Sequence, residues 1–294
     1  IIIHILKFRP DIIVIFSNPR YLSFWFILFL GKILKIEVYP RGHGLVKKKK
    51  PSKLIKLVYR IIIGLSTKYL CYTVSVKDSL SNIAKEELLL VDNNTLYNSL
   101  PVIPKEKTGC ESGIFFIGRL RERCGVEELI NAISILRLQR RNNIELHIIG
   151  DGPLSDIVVS KTLENQWIHY YGQIFDDSKI NEISKMCRIG CYPGDMGLSA
   201  VHMFSLSLPP VTHNFMHEHM GPEPSYIQDG KNGFFYSPKL DITALVGTLS
   251  NIWSLPPEEI YTIQKNAYLT FVHLSTPPFH TRILRNINCL ENYE

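Results

Sequence analysis

Residues 113–120 read Gly-Ile-Phe-Phe-Ile-Gly-Arg-Leu, and residues 145–153 read Glu-Leu-His-Ile-Ile-Gly-Asp-Gly-Pro. Each stretch is a short apolar run that ends in a glycine turn, which is typical of a buried parallel strand. Between the two stretches, apolar residues recur at helical spacing from Val126 to Leu138. A strand, a helix and a second strand in this order predict a βαβ unit within a parallel sheet.

The same alternation continues downstream of this unit. Further strands are predicted at Trp167–Tyr170, Ile189–Tyr192 and Pro210–Thr212. We therefore expect residues 105–275 to form a doubly wound α/β domain with its own core.

The sequence upstream predicts a second, smaller α/β domain over residues 1–104. Short apolar runs at Ile1–Lys7, Ile12–Phe16 and Ile36–Tyr39 indicate buried strands. Residues 101–111 lose this pattern and turn to Pro, Lys, Thr and Gly, which indicates a linker. Residues 276–294 are predicted to form a C-terminal helix that packs back on the first domain.

Composition excludes several classes of protein. With 45% hydrophobic and 20% charged residues in 294, the chain is neither disordered nor collagen-like. The six cysteines form no C-x-x-C pair and no ligand pattern with histidine, so we expect reduced thiols in a cytosolic compartment.

The positive charge is concentrated at one end of the chain. Residues 1–60 contain thirteen Lys and Arg against two acidic residues, a net charge of +11, so the remaining 234 residues sum to −5. A uniformly basic nucleic-acid binder would not be divided in this way.

The densest basic segment is a lysine run followed by a helix. Its residues are Lys47, Lys48, Lys49, Lys50, Lys53 and Lys56. The run is either a solvated loop or a surface that rests on an anionic membrane, since the helix also has an apolar face and each basic residue contributes about 1 kcal/mol there. Nucleic acid is disfavoured because no aromatic residues interleave with the lysines.

Glycine-rich turns follow the predicted strands. Besides Gly118 and Gly150, residues 192–199 read Tyr-Pro-Gly-Asp-Met-Gly-Leu-Ser and lead into an apolar helix. In open α/β sheets, the carboxyl ends of the strands are where ligands bind, and helix N-termini there attract phosphate. His43, between Gly42 and Gly44, follows a predicted strand of the first domain in the same way.

These motifs, in this order, resemble the nucleotide-sugar-binding domain of retaining glycosyltransferases with the GT-B fold, most closely those of family 4. The matching residues are Gly118-Arg119-Leu120 with Gly125-Val126, Gly150-Asp151-Gly152-Pro153, Tyr171-Gly172, Gly197-Leu198-Ser199, Leu208-Pro209, and Glu223 followed by Asp229-Gly230-Lys231-Asn232-Gly233. The resemblance implies two Rossmann-like domains facing a cleft. Because the chain opens on Ile-Ile-Ile and the first domain is short, we expect an N-terminally truncated member of the family.

The resemblance implies roles by position. Arg119, His43 and His202 would be catalytic, with Arg119 holding the donor diphosphate through its planar guanidinium. Gly197 to Ser199 would present backbone N–H groups to the phosphates, Tyr171 to Gln173 would lie against the base, and Glu223 would bind a sugar hydroxyl. The donor-binding set is Gly118, Cys124, Gly150, Gly152, Tyr171, Gly172, Gly194, Asp195, Gly197, Leu198, Ser199 and Glu223.

Two positions depart from the family pattern. Cys124 stands where a lysine usually accompanies the arginine, so Arg121 or Arg123 would have to supply the second cation. Gly194 and His202 stand where a Glu-x7-Glu pair is usual. A related subgroup carries a histidine at the second position, so His202 either substitutes for the carboxylate or is a hydrogen-bonded core histidine.

Three histidines in one loop invite a metal site. His213, His217 and His219 lie beside Glu218, but they lack H-x3-H spacing and no distant ligand is evident, so we expect no metal. Asp151 is either a helix cap or a ligand contact.

The resulting expectation is transfer of a sugar from a nucleotide diphosphate sugar to a glycan or lipid-linked acceptor, with retention and without a cofactor. The location would be cytoplasmic, peripheral on the inner face of a membrane. Two alternatives remain open: a non-catalytic GT-B protein that binds a nucleotide sugar or membrane, and a nucleotide-sugar epimerase.

Overall fold

The computed structural model describes residues 2–46, 50–93, 95, 107–139 and 143–287. Its strands are β1 Ile12–Phe16, β2 Glu37–Gly42, β3 Tyr69–Cys71, β4 Leu89–Val91, β5 Gly113–Ile117, β6 Glu145–Ile149, β7 Ile168–Tyr170, β8 Cys187–Cys191, β9 Pro210–His213 and β10 Phe234–Tyr236. Its α-helices are α1 Ile2–Phe8, α2 Leu22–Leu34, α3 Lys53–Leu65, α4 Val74–Ser81, α5 Val126–Leu138, α6 Ser155–Glu164, α7 Asp177–Lys185, α8 Ser199–Ser205, α9 Ile242–Ser254, α10 Pro257–Ser275 and α11 Phe279–Asn286.

The chain divides into two compact units. Unit 1 consists of residues 1–96 together with 277–294, and unit 2 of residues 97–276. Each unit has its own parallel sheet, so the prediction of two α/β domains with parallel sheets is confirmed.

Unit 2 contains a six-stranded sheet in the order β10-β9-β8-β5-β6-β7, with every pair parallel. After β7 the chain crosses to the other side of β5 and forms β8. The strand order therefore reverses between β5 and β8, and such a switch point opens a crevice at the carboxyl ends of the strands. Helices α5 to α10 belong to this unit and bury a core that includes Phe115, Phe116 and Phe204.

Unit 1 contains a four-stranded parallel sheet in the order β1-β2-β3-β4. Helix α2 packs on it through Phe24, Ile27 and Leu28, and Gly31 lets the helix approach Val38, since a Cβ at position 31 would lie 2.5 Å from that side chain. Helix α11 returns to this unit, where Ile287 packs with Tyr39 and Leu70.

One predicted element is wrong. Residues 1–7 were expected to form a strand, whereas Ile2–Phe8 is the helix α1 and β1 pairs only with β2 among the described residues. Residues 1–7 contain five apolar residues interrupted by His4 and followed by Lys7, and so short a run has no period that separates a strand from a helix. Among the described residues, no helix combines the length and the apolar character that crossing a bilayer requires.

Candidate active site

A cavity of about 510 Å³ lies at the carboxyl ends of β5 and β6, beside the point where the strand order of unit 2 reverses. It is lined by Ile117, Gly118, Arg119, Ile149, Gly150, Asp151, Gly152, Gln173, Ile174 and His202. Thus three of the glycines predicted from the turns, together with Arg119 and His202, share one cavity.

The glycines allow two turns to touch. Gly150 has φ +148, and a Cβ there would lie 1.9 Å from the carbonyl oxygen of Gly118. The backbones are joined on either side of this contact, because Gly118 N–H donates to Ile149 and Leu120 N–H donates to Asp151. The cavity floor is therefore bare backbone, which a phosphate group can approach closely.

Arg119 supplies the positive charge at this floor. Arg119 follows the end of β5 by two residues, and its exposed side chain lines the cavity. An exposed guanidinium at the end of a rigid strand can present parallel N–H donors to the oxygens of a diphosphate.

Asp151 is held by the turn it begins. Its Oδ1 atom accepts hydrogen bonds from Gly152 N–H and from the Ser155 hydroxyl, each at 2.7 Å. The Ser155 and Gly152 hydrogen bonds lower the pKa of the carboxyl group, so it stays ionised. Asp151 is not the cap of α6, because the N-cap residue is Leu154 and no described side chain caps that end, and its predicted ligand contact stays a prediction for a residue that lines the cavity.

His202 lines the cavity from the first turns of α8. Burial lowers the pKa of its imidazole to about 4, so the ring is neutral at pH 7 and offers one donor and one acceptor. The start of α8 also reaches Gly118, since a Cβ on Gly118 would lie 3.1 Å from the Ser199 hydroxyl. Residues of the predicted Gly197-Leu198-Ser199 turn therefore border the same floor.

Asp195 is a buried anchor and does not line the cavity. Its carboxylate forms an ion pair with Arg123 at 3.1 Å and a closer one with Lys239. Lys239 also binds Glu218 at 2.9 Å, and Arg121 donates to the Asp195 carbonyl oxygen at 3.3 Å. This network holds the turn at residues 193–195, and the expected contact of Asp195 with the nucleotide sugar stays a prediction.

The loop histidines pack behind that network. His213 and His219 stack with ring centroids 3.9 Å apart, and the His219 Nε2 atom lies 3.0 Å from the His213 carbonyl oxygen. Burial lowers the pKa of both rings, so both are neutral at pH 7. Gly194 approaches this region closely, since a Cβ there would lie 1.9 Å from the Arg123 carbonyl oxygen.

Two side chains of the predicted donor set point elsewhere. The Cys124 thiol is fully buried in the core, and burial raises its pKa, so it is a neutral packing group. The Tyr171 hydroxyl lies 2.9 Å from His147 Nδ1, and it is Gln173, two residues later, that lines the cavity.

Glu223 is buried, and its Oε2 atom lies 3.9 Å from where a Gly197 Cβ would stand.

The remaining predicted residues belong to unit 1. His43 packs edge-on against Tyr72, with ring centroids 5.0 Å apart, after the end of β2. Lys50, Lys53 and Lys56 are exposed, while Lys47, Lys48 and Lys49 lie outside the described residues.

Two contributors were missed at the level of sequence. Ile174 lines the cavity beside Gln173, and its place directly after the predicted Tyr171 to Gln173 segment could have indicated it. Lys239 forms an ion pair with Asp195, which lies 44 residues away in the sequence, and no local sequence pattern predicts such a pair.

Comparisons with known proteins identify a related family and a shared fold. Residues 111–254 match the family model described as "Glycosyl transferases group 1". No curated protein matches the chain.

Three solved structures show the same fold. Anabaena Alr3699/HepE in complex with UDP is 15% identical, with a TM-score of 0.70 over 99% of this chain and 81% of that one. The pneumococcal O-GlcNAc transferase GtfA in complex with UDP and GlcNAc is 9% identical, with a TM-score of 0.71 over 99% and 59%. A mutant of S. aureus TarM, in a complex that includes UDP, is 13% identical, with a TM-score of 0.63 over 93% and 59%.

The chain thus spans 59% of the length of TarM. Its second unit matches the glycosyl transferases group 1 family over residues 111–254, and the chain has the GT-B fold of glycosyltransferases.

Proposed function

We propose that this protein transfers a sugar from a nucleotide diphosphate donor to a hydroxyl of a glycan or lipid-linked acceptor, with retention of configuration, as family 4 glycosyltransferases do. The observation that carries the proposal is the cavity at the carboxyl ends of β5 and β6, where Arg119 lies beside a floor of glycine backbone. UDP in the complexes of HepE, GtfA and TarM supports a uridine nucleotide as the first donor to test.

The chemistry follows from charge on the leaving group. The bond between the anomeric carbon and the diphosphate oxygen breaks, the acceptor oxygen bonds to that carbon on the same face, and the acceptor proton passes to the departing phosphate. Arg119 stabilises the negative charge that grows on the diphosphate. His202 is neutral at pH 7, so it donates a hydrogen bond to the nucleotide sugar without supplying a proton to the reaction.

A binding protein without turnover is the second candidate, and two observations favour it. Cys124 is a buried neutral thiol where the family has a second cation, and Gly194 and His202 replace the paired carboxylates. The epimerase alternative is weaker, because Asp151 is the one carboxylate among the described residues that line the cavity, and its Oδ1 atom already accepts hydrogen bonds from Gly152 and Ser155.

Titration calorimetry with UDP, GDP and ADP tests the site. Arg119→Ala should weaken binding of the preferred diphosphate about tenfold to a hundredfold, since hydrogen bonds to charged groups contribute about 1.5–3 kcal/mol. Lys265→Ala, which removes an exposed charge from α10, is the matched control and should leave the affinity unchanged. Equal affinities of the wild type, Arg119→Ala and Lys265→Ala for the diphosphate would refute the role assigned to Arg119.

Turnover separates the two candidates. Release of nucleotide diphosphate from a labelled donor, with the product anomer read by NMR, is the expected result for a transferase. Tight binding without release or isomerisation of the donor sugar would establish the binding protein instead, and an isomeric nucleotide sugar would establish the epimerase.

We further propose that α3 rests on an anionic membrane at the inner face of the cell membrane. Leu54, Leu57 and Ile61 are 70%, 48% and 42% exposed, and they recur at i, i+3 and i+7 along the helix. Each follows a basic residue, namely Lys53, Lys56 and Arg60, all of them exposed. An apolar row beside a basic row is the pattern of an interfacial helix.

Liposome flotation tests this surface. The full chain should float with vesicles that contain phosphatidylglycerol and remain below with pure phosphatidylcholine. Replacing Lys53, Lys56 and Arg60 with Gln should release the protein, since each contributes about 1 kcal/mol near such a surface. The same replacement at Lys161, Lys179 and Lys265 of unit 2 is the charge-matched control, and equal flotation of both triple variants would disprove the role of α3.

A further inference from the structure

Four polar side chains share one face of the sheet edge in unit 2. His147 of β6 stands opposite His169 of β7 in the register of the two strands. Glu145 precedes His147 by two residues and Tyr171 follows His169 by two, so all four project to the same side. None of them lines the donor cavity.

Three of these groups converge on one point. The Glu145 Oε2 atom lies 3.4 Å from His169 Nε2 and 3.8 Å from His147 Nε2. The two imidazole rings stack with centroids 4.8 Å apart and an angle of 19° between their planes. The three possible ligand atoms all lie within 4.8 Å of one another.

The two Nε2 atoms are shielded from solvent and make no hydrogen bond in the described part of the chain. A buried polar atom without a partner is costly, so its retention calls for an explanation. An ion pair between Glu145 and a protonated His169 would still leave the His147 Nε2 atom without a partner. A single cation between the three atoms satisfies all of them.

The spacing suits zinc. Zinc bonds of about 2.0–2.1 Å in a tetrahedral arrangement place ligand atoms about 3.3 Å apart. The two separations between the Glu145 oxygen and the histidine nitrogens, 3.4 Å and 3.8 Å, are close to this value. Two imidazole nitrogens and a carboxylate oxygen are a ligand set that zinc accepts and magnesium does not favour. Glu145 and His169 are 47% and 37% exposed, so water can reach the fourth position.

Tyr171 orients the buried ligand. Its hydroxyl lies 2.9 Å from His147 Nδ1, and the two rings are nearly parallel at 11°. A histidine that ligates a metal through one nitrogen usually has the other held by a hydrogen bond, which sets the tautomer. With Nδ1–H donating to the phenol oxygen, the Nε2 lone pair faces Glu145 and His169.

We propose that Glu145, His147 and His169 bind one zinc ion, with water as the fourth ligand, and that this ion fastens the edge strand β7 to β6. The site is separate from the transfer chemistry and does not depend on the proposed function. Its consequence for unit 2 is mechanical, because β7 leads within a few residues to Gln173 and Ile174, which line the cavity. Zinc would hold that wall of the cavity in place.

Zinc titration of the full chain, stripped with EDTA and free of any affinity tag, tests the proposal. Competition with a chromogenic chelator should show one zinc ion per chain, and His169→Gln should lose it. His217→Gln, in the other histidine cluster of unit 2, is the matched control and should bind zinc as the wild type does. Tyr171→Phe should weaken binding about tenfold, as loss of an orienting partner does at other metal sites.

A thermal measurement guards against misfolding. In EDTA, His169→Gln should melt as a folded protein, and zinc at a hundredfold excess over its dissociation constant should raise the melting temperature of the wild type by about 4 °C but not that of the variant. Magnesium at the same concentration should produce no shift. Absence of stoichiometric zinc in the wild type, or loss of zinc from His217→Gln with retention by His169→Gln, would overturn the proposal.

Discussion

At the scale of single residues, the candidate site depends on positions where a side chain would not fit. Gly118 and Gly150 end neighbouring strands, and both have φ near +150, a region that glycine alone enters readily. The contact between their backbones brings Arg119 and the turn at residues 150–152 to one cavity. The glycines are therefore required by geometry before any ligand is considered.

Gly150→Ala should destabilise unit 2 by more than about 2 kcal/mol, because the new Cβ would lie 1.9 Å from a carbonyl oxygen and φ is unfavourable. Gly247→Ala should do the opposite. Gly247 lies in α9 with nothing within 4 Å of a new Cβ, so the substitution should stabilise the protein by about 0.5–1 kcal/mol. Urea unfolding followed by circular dichroism measures both, and equal midpoints would contradict the geometric account.

At the scale of elements, α11 shows how a terminal helix completes a unit. Arg282 donates to the fully buried Asp92 at 3.3 Å and to the Thr95 carbonyl oxygen at 3.1 Å. Arg41 approaches the same carboxylate at 3.5 Å. Burial raises the pKa of Asp92 while the two arginines lower it, so the helix and β2 together keep this carboxylate in place.

Arg282→Ala should destabilise unit 1 by about 3 kcal/mol, since removing one partner leaves a buried charge poorly compensated. Arg285→Ala, on an exposed position of the same helix, should change stability by less than about 0.5 kcal/mol. Trp25 lies in unit 1, whereas Trp167 and Trp253 lie in unit 2. Fluorescence of Trp25 in a Trp167→Phe, Trp253→Phe background therefore reports the unit concerned, and an unchanged midpoint for Arg282→Ala would show that α11 adds no stability.

At the scale of the whole molecule, acid should weaken the protein through its buried histidines. Burial lowers the pKa of His202 and His219 to about 4 and that of His213 to about 3. Unfolded histidines take up a proton near pH 6.5. Between about pH 6.5 and pH 4 the unfolded chain thus binds more protons than the folded one, so the free energy of unfolding falls as the pH falls.

Each such histidine contributes about 1.4 kcal/mol per pH unit in that window. Urea midpoints at pH 7.5, 6.0 and 5.0, measured in EDTA, should decline steadily, and His219→Gln should reduce the decline by removing one titrating ring. A pH-independent midpoint over this range would show that these rings take up protons as readily in the folded state as in the unfolded state.

The division of charge also belongs to this scale. The surplus of +11 in residues 1–60 falls within unit 1, whereas residues 61–294 carry −5. On α3 the described basic residues stand beside exposed leucines, which local composition alone does not reveal. Exposure is a property of the packed unit, so the membrane proposal became specific only when the helix faces were known.

The sequence by itself determined the fold class and the turns of the donor cavity. Apolar runs, helical spacing from Val126 to Leu138 and glycines after the strands are local signals, because burial and backbone freedom act over a few residues. The GT-B architecture was predicted from the resemblance of the ordered motifs to family 4 glycosyltransferases. Among the three-residue strands, β7 was predicted whereas β3, β4 and β10 were not, because a run of three residues is too short to show a reliable period.

Only the tertiary structure decided where side chains point and which distant groups meet. It places Cys124 in the core, joins Tyr171 to His147 and pairs Asp195 with Lys239 across 44 residues. It also brings Glu145, His147 and His169 together on two strands. Such contacts depend on strand register and packing between segments far apart in the chain, and no periodicity within one segment encodes them.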